Sequence, residues 1–134
     1  MQLENYYWYF DNVLSKNFCN NLIKYGNSLR EKQALTLGMK DEDVKNDKRL
    51  DNLKKIRNSN IAWLDGRWLY DELFHFVQIA NNNAGWNYQW DWAEQCQFTK
   101  YKLNQFYNWH IDSHSDPYTQ QGPLQGKIRK LSMI

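Results

Sequence analysis

The residues best suited to chemistry sit in one stretch, 97–115, which reads QFTKYKLNQFYNWHIDSHS. Within it, His110 and Asp112 are two apart. In a β-strand, side chains at i and i+2 share a face, about 7 Å apart at the backbone. An imidazole and a carboxylate placed so can converge on one divalent ion. Two imidazoles and one carboxylate on one face of an octahedron suit Fe(II), leaving three positions for a chelating cosubstrate and O2. His-x-Asp supplies two of those three ligands. His114 is the neighbouring candidate for the third. Along a continuing strand it would lie about 13 Å from His110, whereas metal–nitrogen bonds are near 2 Å. Only a sharp turn at Ser113 would admit it, and a zinc site of His110, Asp112 and His114 depends on that turn. The bland reading of the pair is a structural hydrogen bond.

The elements that must position these residues follow from side-chain periodicity. Residues 94–102 read as a strand with Gln97, Thr99 and Tyr101 on one face and Cys96, Phe98 and Lys100 on the other. Leu103, Asn104 and Gln105 form a tight break. Residues 106–112 read as a second strand, with Phe106, Asn108, His110 and Asp112 sharing a face. Upstream, 3–14 reads as an aromatic strand. Ser15 is a plausible cap for a helix marked by Phe18, Leu22, Tyr25 and Leu29, with Cys19, Ile23 and Gly26 beside the stripe. Residues 58–64 form a short strand. Asp65 can cap a second helix carrying Leu69, Leu73, Phe76, Val77 and Ala80, which stops near Gly85. His75 lies off its apolar stripe and reads as an exposed helix histidine. Residues 86–92 (WNYQWDW) read as strand, 113–126 as a loop, and 128–134 as the start of a further strand.

The chain has 134 residues, enough for one domain with a single core. Seven Trp, nine Tyr and six Phe supply that core with aromatic surface and argue against disorder. A net charge of +2 is too small to point to nucleic acid. The charged stretch 39–57 mixes both signs, so it reads as a solvated loop with a short helix, or alternatively as a flap over a substrate groove. No secretory signal or membrane span is visible. Cys19 and Cys96 form no CxxC pair and read as reduced core thiols of a cytoplasmic protein. Helices first and closely spaced strands later predict an α+β domain with a β-sandwich or jelly-roll core.

A longer pattern surrounds the His-x-Asp pair: Gln97-x-Thr99-x-Tyr101, then Phe106-Tyr107-x-x-His110-x-Asp112, then Arg129-Lys130-Leu131-Ser132. It resembles the prolyl 4-hydroxylase-like branch of the Fe(II)/2-oxoglutarate dioxygenases, and looks closest to the bacterial and phage PKHD-type hydroxylases. The specific match covers about 95–134. FDNVLSKNFCNNLI near the start and the RNSNIAWL run are similar to that family's supporting region. The resemblance implies a double-stranded β-helix (jelly-roll) core with N-terminal supporting helices, incomplete at the C-terminus. Residues 1–93 would be the support region and 94–134 the first strands of the core.

By the same resemblance, His110 and Asp112 are iron ligands. Tyr101 matches the tyrosine that helps hold the distal carboxylate of 2-oxoglutarate, and Thr99 shares its face. Tyr107 matches a motif tyrosine near the iron and the substrate entrance. Ser132 and Ile134 fall on the next strand, where related enzymes line the cosubstrate pocket. The implied reaction hydroxylates prolyl residues of a peptide or protein with O2, releasing succinate and CO2, with ascorbate keeping the iron reduced. Two departures stand out. Asn104 replaces the glycine usual at the turn; Asn tolerates a left-handed backbone, so the turn survives. A distal histidine and a basic cosubstrate residue would lie beyond Ile134, so a fragment with weak metal binding and little turnover is expected. The alternative from another class is a non-enzymatic jelly-roll binding module or phage structural module.

Overall fold

The computed structural model describes residues 6–34, 47–113 and 116–134. The first residues of the expected N-terminal strand, residues 39–46 of the charged stretch 39–57 and His114 lie outside the described residues. The elements in order are α1 (Lys16–Ser28), β1 (Lys32–Gln33), α2 (Asp47–Ile56), β2 (Arg57–Asn58), β3 (Asn60–Leu64), α3 (Arg67–Asn83), β4 (Cys96–Lys100) and β5 (Phe106–Tyr107). The fold is thus α+β, with small antiparallel sheets. The chain forms two compact units, each built from separate stretches: 1–19, 66–94 and 111–134 in the first, 20–65 and 95–110 in the second.

In the second unit β3 is the central strand of a sheet ordered β1-β3-β4. Ile61 and Ala62 are both buried although they point to opposite faces, so both faces of β3 are covered. Ala62 pairs with Phe98, and the Phe98 ring lies against Gly26 of α1, where a Cβ would come within 2.5 Å of it. This is why a glycine stands at this position of α1. The helix begins as its sequence suggests: Ser15 Oγ accepts a bond from the Phe18 amide at 3.1 Å. The second sheet pairs β2 with β5, Arg57 opposite Tyr107 and Asn58 opposite Phe106.

In the first unit α3 buries Leu69 and Asn81. Its N-terminal residue before the first turn is Gly66, which offers no side-chain cap, so the expected cap at Asp65 is not made. The helix ends where expected, and Gly85 follows with φ +70°. His75 is exposed, as expected. Phe10 packs edge-on to Phe76 and Phe74 to Trp90, each at 5.2 Å between ring centroids. The loop at 116–127 is closed by Tyr118 N–H to the Lys127 carbonyl at 3.0 Å and Gly126 N–H to the Tyr118 carbonyl at 2.8 Å.

Four expected strands differ. Residues 6–14 form no ladder, and Tyr6, Tyr7 and Tyr9 are exposed. Residues 86–92 are held instead by Asn81. Its Nδ2 donates to the Tyr88 carbonyl at 2.9 Å and its Oδ1 accepts the Tyr88 amide at 3.0 Å. A side chain has taken the bonds that a neighbouring strand would take. Residues 128–134 likewise lack a ladder, and the Arg129 carbonyl accepts Ser113 Oγ at 2.9 Å. The fourth, 106–112, shrinks to two residues because its partner runs out. The register that pairs Arg57 with Tyr107 brings Ile56 opposite Asn108, and Ile56 is the last residue of α2. Asn108 N–H then bonds the Ile56 carbonyl at 3.0 Å and Asn108 Nδ2 the Lys55 carbonyl at 3.0 Å. Both carbonyls belong to the end of a helix, where they lack intrahelical partners. The ladder ends by capping α2, and the chain turns away.

Candidate functional site

Because 108–112 is not strand, the shared-face argument for His110 and Asp112 does not apply. The boundary between the two units also falls between His110 and Ile111, so the two candidate ligands belong to different units. Each has a defined setting.

His110 is exposed and folds back on its own chain. Its ring stacks on Tyr107 with centroids 3.6 Å apart and planes 16° from parallel. Its Nδ1 lies 2.8 Å from the Asn108 carbonyl oxygen. A carbonyl can only accept, so Nδ1 carries the proton of that bond. In the neutral ring the lone pair is then on Nε2. Metal-binding histidines are commonly oriented by such a bond.

Tyr107 also receives the Arg57 guanidinium, whose Cζ is 4.5 Å from the ring centroid. This is a cross-strand cation–π pair, the direct result of the β2–β5 register. Arg57 is 6% exposed. Its Nε donates to Ser59 Oγ at 2.9 Å and its Nη2 to Gln97 Oε1 at 2.6 Å. Gln97 Oε1 also accepts Thr99 Oγ1 at 3.2 Å, so Gln97 and Thr99 share a face as expected. Tyr101 lies beyond the end of β4 and is half exposed.

Asp112 is held in the first unit by the segment 129–132. Ser132 Oγ donates to Asp112 Oδ2 at 2.5 Å, and Arg129 Nη1 donates to the Asp112 carbonyl. Arg129 is anchored in turn by Glu94, Nε to Oε1 at 2.8 Å and Nη2 to Oε2 at 2.6 Å. That carboxylate raises the guanidinium's pKa further, against the opposite pull of burial. Tyr118 completes the cluster, donating to Glu94 Oε1 at 3.2 Å, and burial pushes its phenol pKa up. Ile134 is fully exposed.

One expected association therefore occurs, Gln97 with Thr99; the bond from Ser132 to Asp112 is one to which the sequence did not point. Arg57 and Glu94 were not foreseen as site residues. Arg57 ends a run of charged residues whose other members give no hint that one turns inward; its only sequence signal is Ser59 two residues on, which shares its face. Glu94 carries no local signal at all, since its partner is 35 residues away.

Among the described residues no three His, Cys, Asp or Glu side chains gather into a metal-holding group. Among them, too, no helix is long and apolar enough to cross a membrane. Cys19 and Cys96 are both half-buried. No family model matches the chain, and neither the curated proteins nor the solved structures include a significant match.

Proposed function

We propose that this chain carries part of the site of an iron- and 2-oxoglutarate-dependent hydroxylase that acts on prolyl residues of a peptide or protein. The observation that supports it best is the setting of His110. A bond from Nδ1 to a backbone carbonyl leaves Nε2 as the basic nitrogen, and the ring is steadied by Tyr107. Asp112, steadied through Ser132, supplies an oxygen donor. An imidazole nitrogen and a carboxylate oxygen fit two of the three protein positions that Fe(II) takes in such sites. When bound, the iron and 2-oxoglutarate would couple O2 reduction to C–H hydroxylation, with succinate and CO2 as coproducts. The chain's own contribution is to fix the tautomer of His110, orient Asp112 and present Tyr107 beside the imidazole. A jelly-roll core, a role for ascorbate, pocket roles for Thr99, Tyr101, Ser132 and Ile134, and a cytoplasmic location belong to the same reading.

The test is Fe(II) binding under anaerobic conditions, followed by paramagnetic broadening of the His110 ring signals. Weak binding that disappears in both His110→Ala and Asp112→Ala is expected, with any succinate formation lost in the same variants. Unchanged binding in either variant would sink the assignment.

A second reading is favoured by the full exposure of Trp109, next to His110. A large aromatic in water suits a non-enzymatic module that takes a peptide or sugar on its surface. Metal-independent binding of such a ligand, lost in Trp109→Ala, would distinguish it.

A further inference from the structure

Arg57 is a buried cation whose partners among the described residues are all neutral. A guanidinium keeps its proton at any working pH and has five N–H donors in a planar fork. A buried charge is normally paired with an opposite one, because desolvation is costly. Among the described residues, however, no carboxylate reaches Arg57. Its Nε goes to Ser59 Oγ at 2.9 Å, its Nη2 to Gln97 Oε1 at 2.6 Å, and the Tyr107 ring lies at 4.5 Å. An amide oxygen is a weak substitute for a carboxylate oxygen, and Gln97 itself is exposed. The neutral acceptor on Nη2 is therefore on a side chain that solvent reaches and that can swing aside.

We propose that Arg57, capped by a displaceable Gln97, anchors a binding site for the carboxylate of a small organic acid. A carboxylate matches the fork with two coplanar oxygens. Its single negative charge balances the single buried positive charge. A phosphate would bring a second negative charge, and Lys100 of β4 alternates to the face opposite Gln97 and Thr99, where Glu31 engages it at 2.6 Å. Thr99 Oγ1 and the Gln97 amide nitrogen are further donors on the same side. The site needs no metal and does not depend on the iron reading.

The experiment follows the side-chain Nε–H signal of Arg57 by NMR in the metal-free protein during titration with sodium acetate. Ionic strength is held constant with sodium chloride. A saturable shift with acetate, absent with chloride alone, is expected. Gln97→Glu would place a carboxylate of the chain itself on Nη2. This variant should lose the response to acetate and melt at a higher temperature than the parent. No saturable shift in the parent, an equal response to chloride, or a Gln97→Glu protein that still responds or is no more stable, would each overturn the proposal.

Discussion

The Arg129 guanidinium closes on the Glu94 carboxylate through two parallel bonds, Nε to Oε1 at 2.8 Å and Nη2 to Oε2 at 2.6 Å. The pair is half-buried, with about a third of each side chain exposed. Its strength should fall between the negligible value of a surface pair and the large cost of breaking a buried one. Glu94→Gln is expected to destabilise by about 1–2 kcal/mol. Arg129→Lys should cost nearly as much, because an ammonium cannot reproduce the fork. Urea denaturation of both variants checks this. A midpoint unmoved in either would mean that solvent already screens the pair.

Asn81 replaces a strand as the partner of the segment after α3. It is 2% exposed and satisfies both backbone groups of Tyr88. Asn81→Ala would leave the part-buried amide and carbonyl of Tyr88 without these partners. A loss of about 2–3 kcal/mol is expected. Asn81→Asp should also destabilise, since a carboxylate would face the Tyr88 carbonyl. Amide exchange at Tyr88 should accelerate in both. Unchanged protection there would show that Asn81 does not hold the segment.

Asn104 sits at φ +64° in the turn between β4 and β5. The turn is closed by Gln105 N–H to the Lys102 carbonyl at 2.9 Å and by Lys102 N–H to Gln105 Oε1 at 2.7 Å. Asn104→Ala should cost about 1 kcal/mol, because an alanine Cβ is strained at positive φ. Asn104→Gly should be neutral or slightly stabilising. Equal thermal midpoints for the alanine and glycine variants would contradict this backbone argument.

Acid should weaken the protein partly through Glu31. Its carboxylate accepts Lys100 Nζ at 2.6 Å and Asn60 Nδ2 at 2.9 Å, and these bonds, led by that from Lys100, hold its pKa below the usual range. Above the unfolded value, about 4.3, both states are ionised and the contribution is complete. As pH falls below that value the unfolded chain takes up the proton first, so stability declines. Once the lower folded pKa is passed, the contribution is gone. Glu31→Gln should flatten the acid limb of a plot of thermal midpoint against pH. A limb as steep as the parent's would assign the acid sensitivity to other groups, such as Asp91, whose pKa Lys127 lowers in the same way.

The sequence by itself was enough for α1, its Ser15 cap, α3, the stop at Gly85, β3 and the turn at Asn104. Each depends on side-chain period or on the backbone preference of one residue, and those are local properties. Tertiary structure alone decided which strands meet. Phe106 and Tyr107 follow β4 closely, yet they pair with Arg57 and Asn58. The ladder then stops at the C-terminal end of α2, which removes His110 and Asp112 from a common strand. The inward turn of Arg57 and the grip of Glu94 on Arg129 were equally hidden, because each is set by partners about 35 to 50 positions away. A run of charged residues looks the same whether its last member faces water or an aromatic ring. Only the register of β2 against β5 decided that Arg57 faces Tyr107.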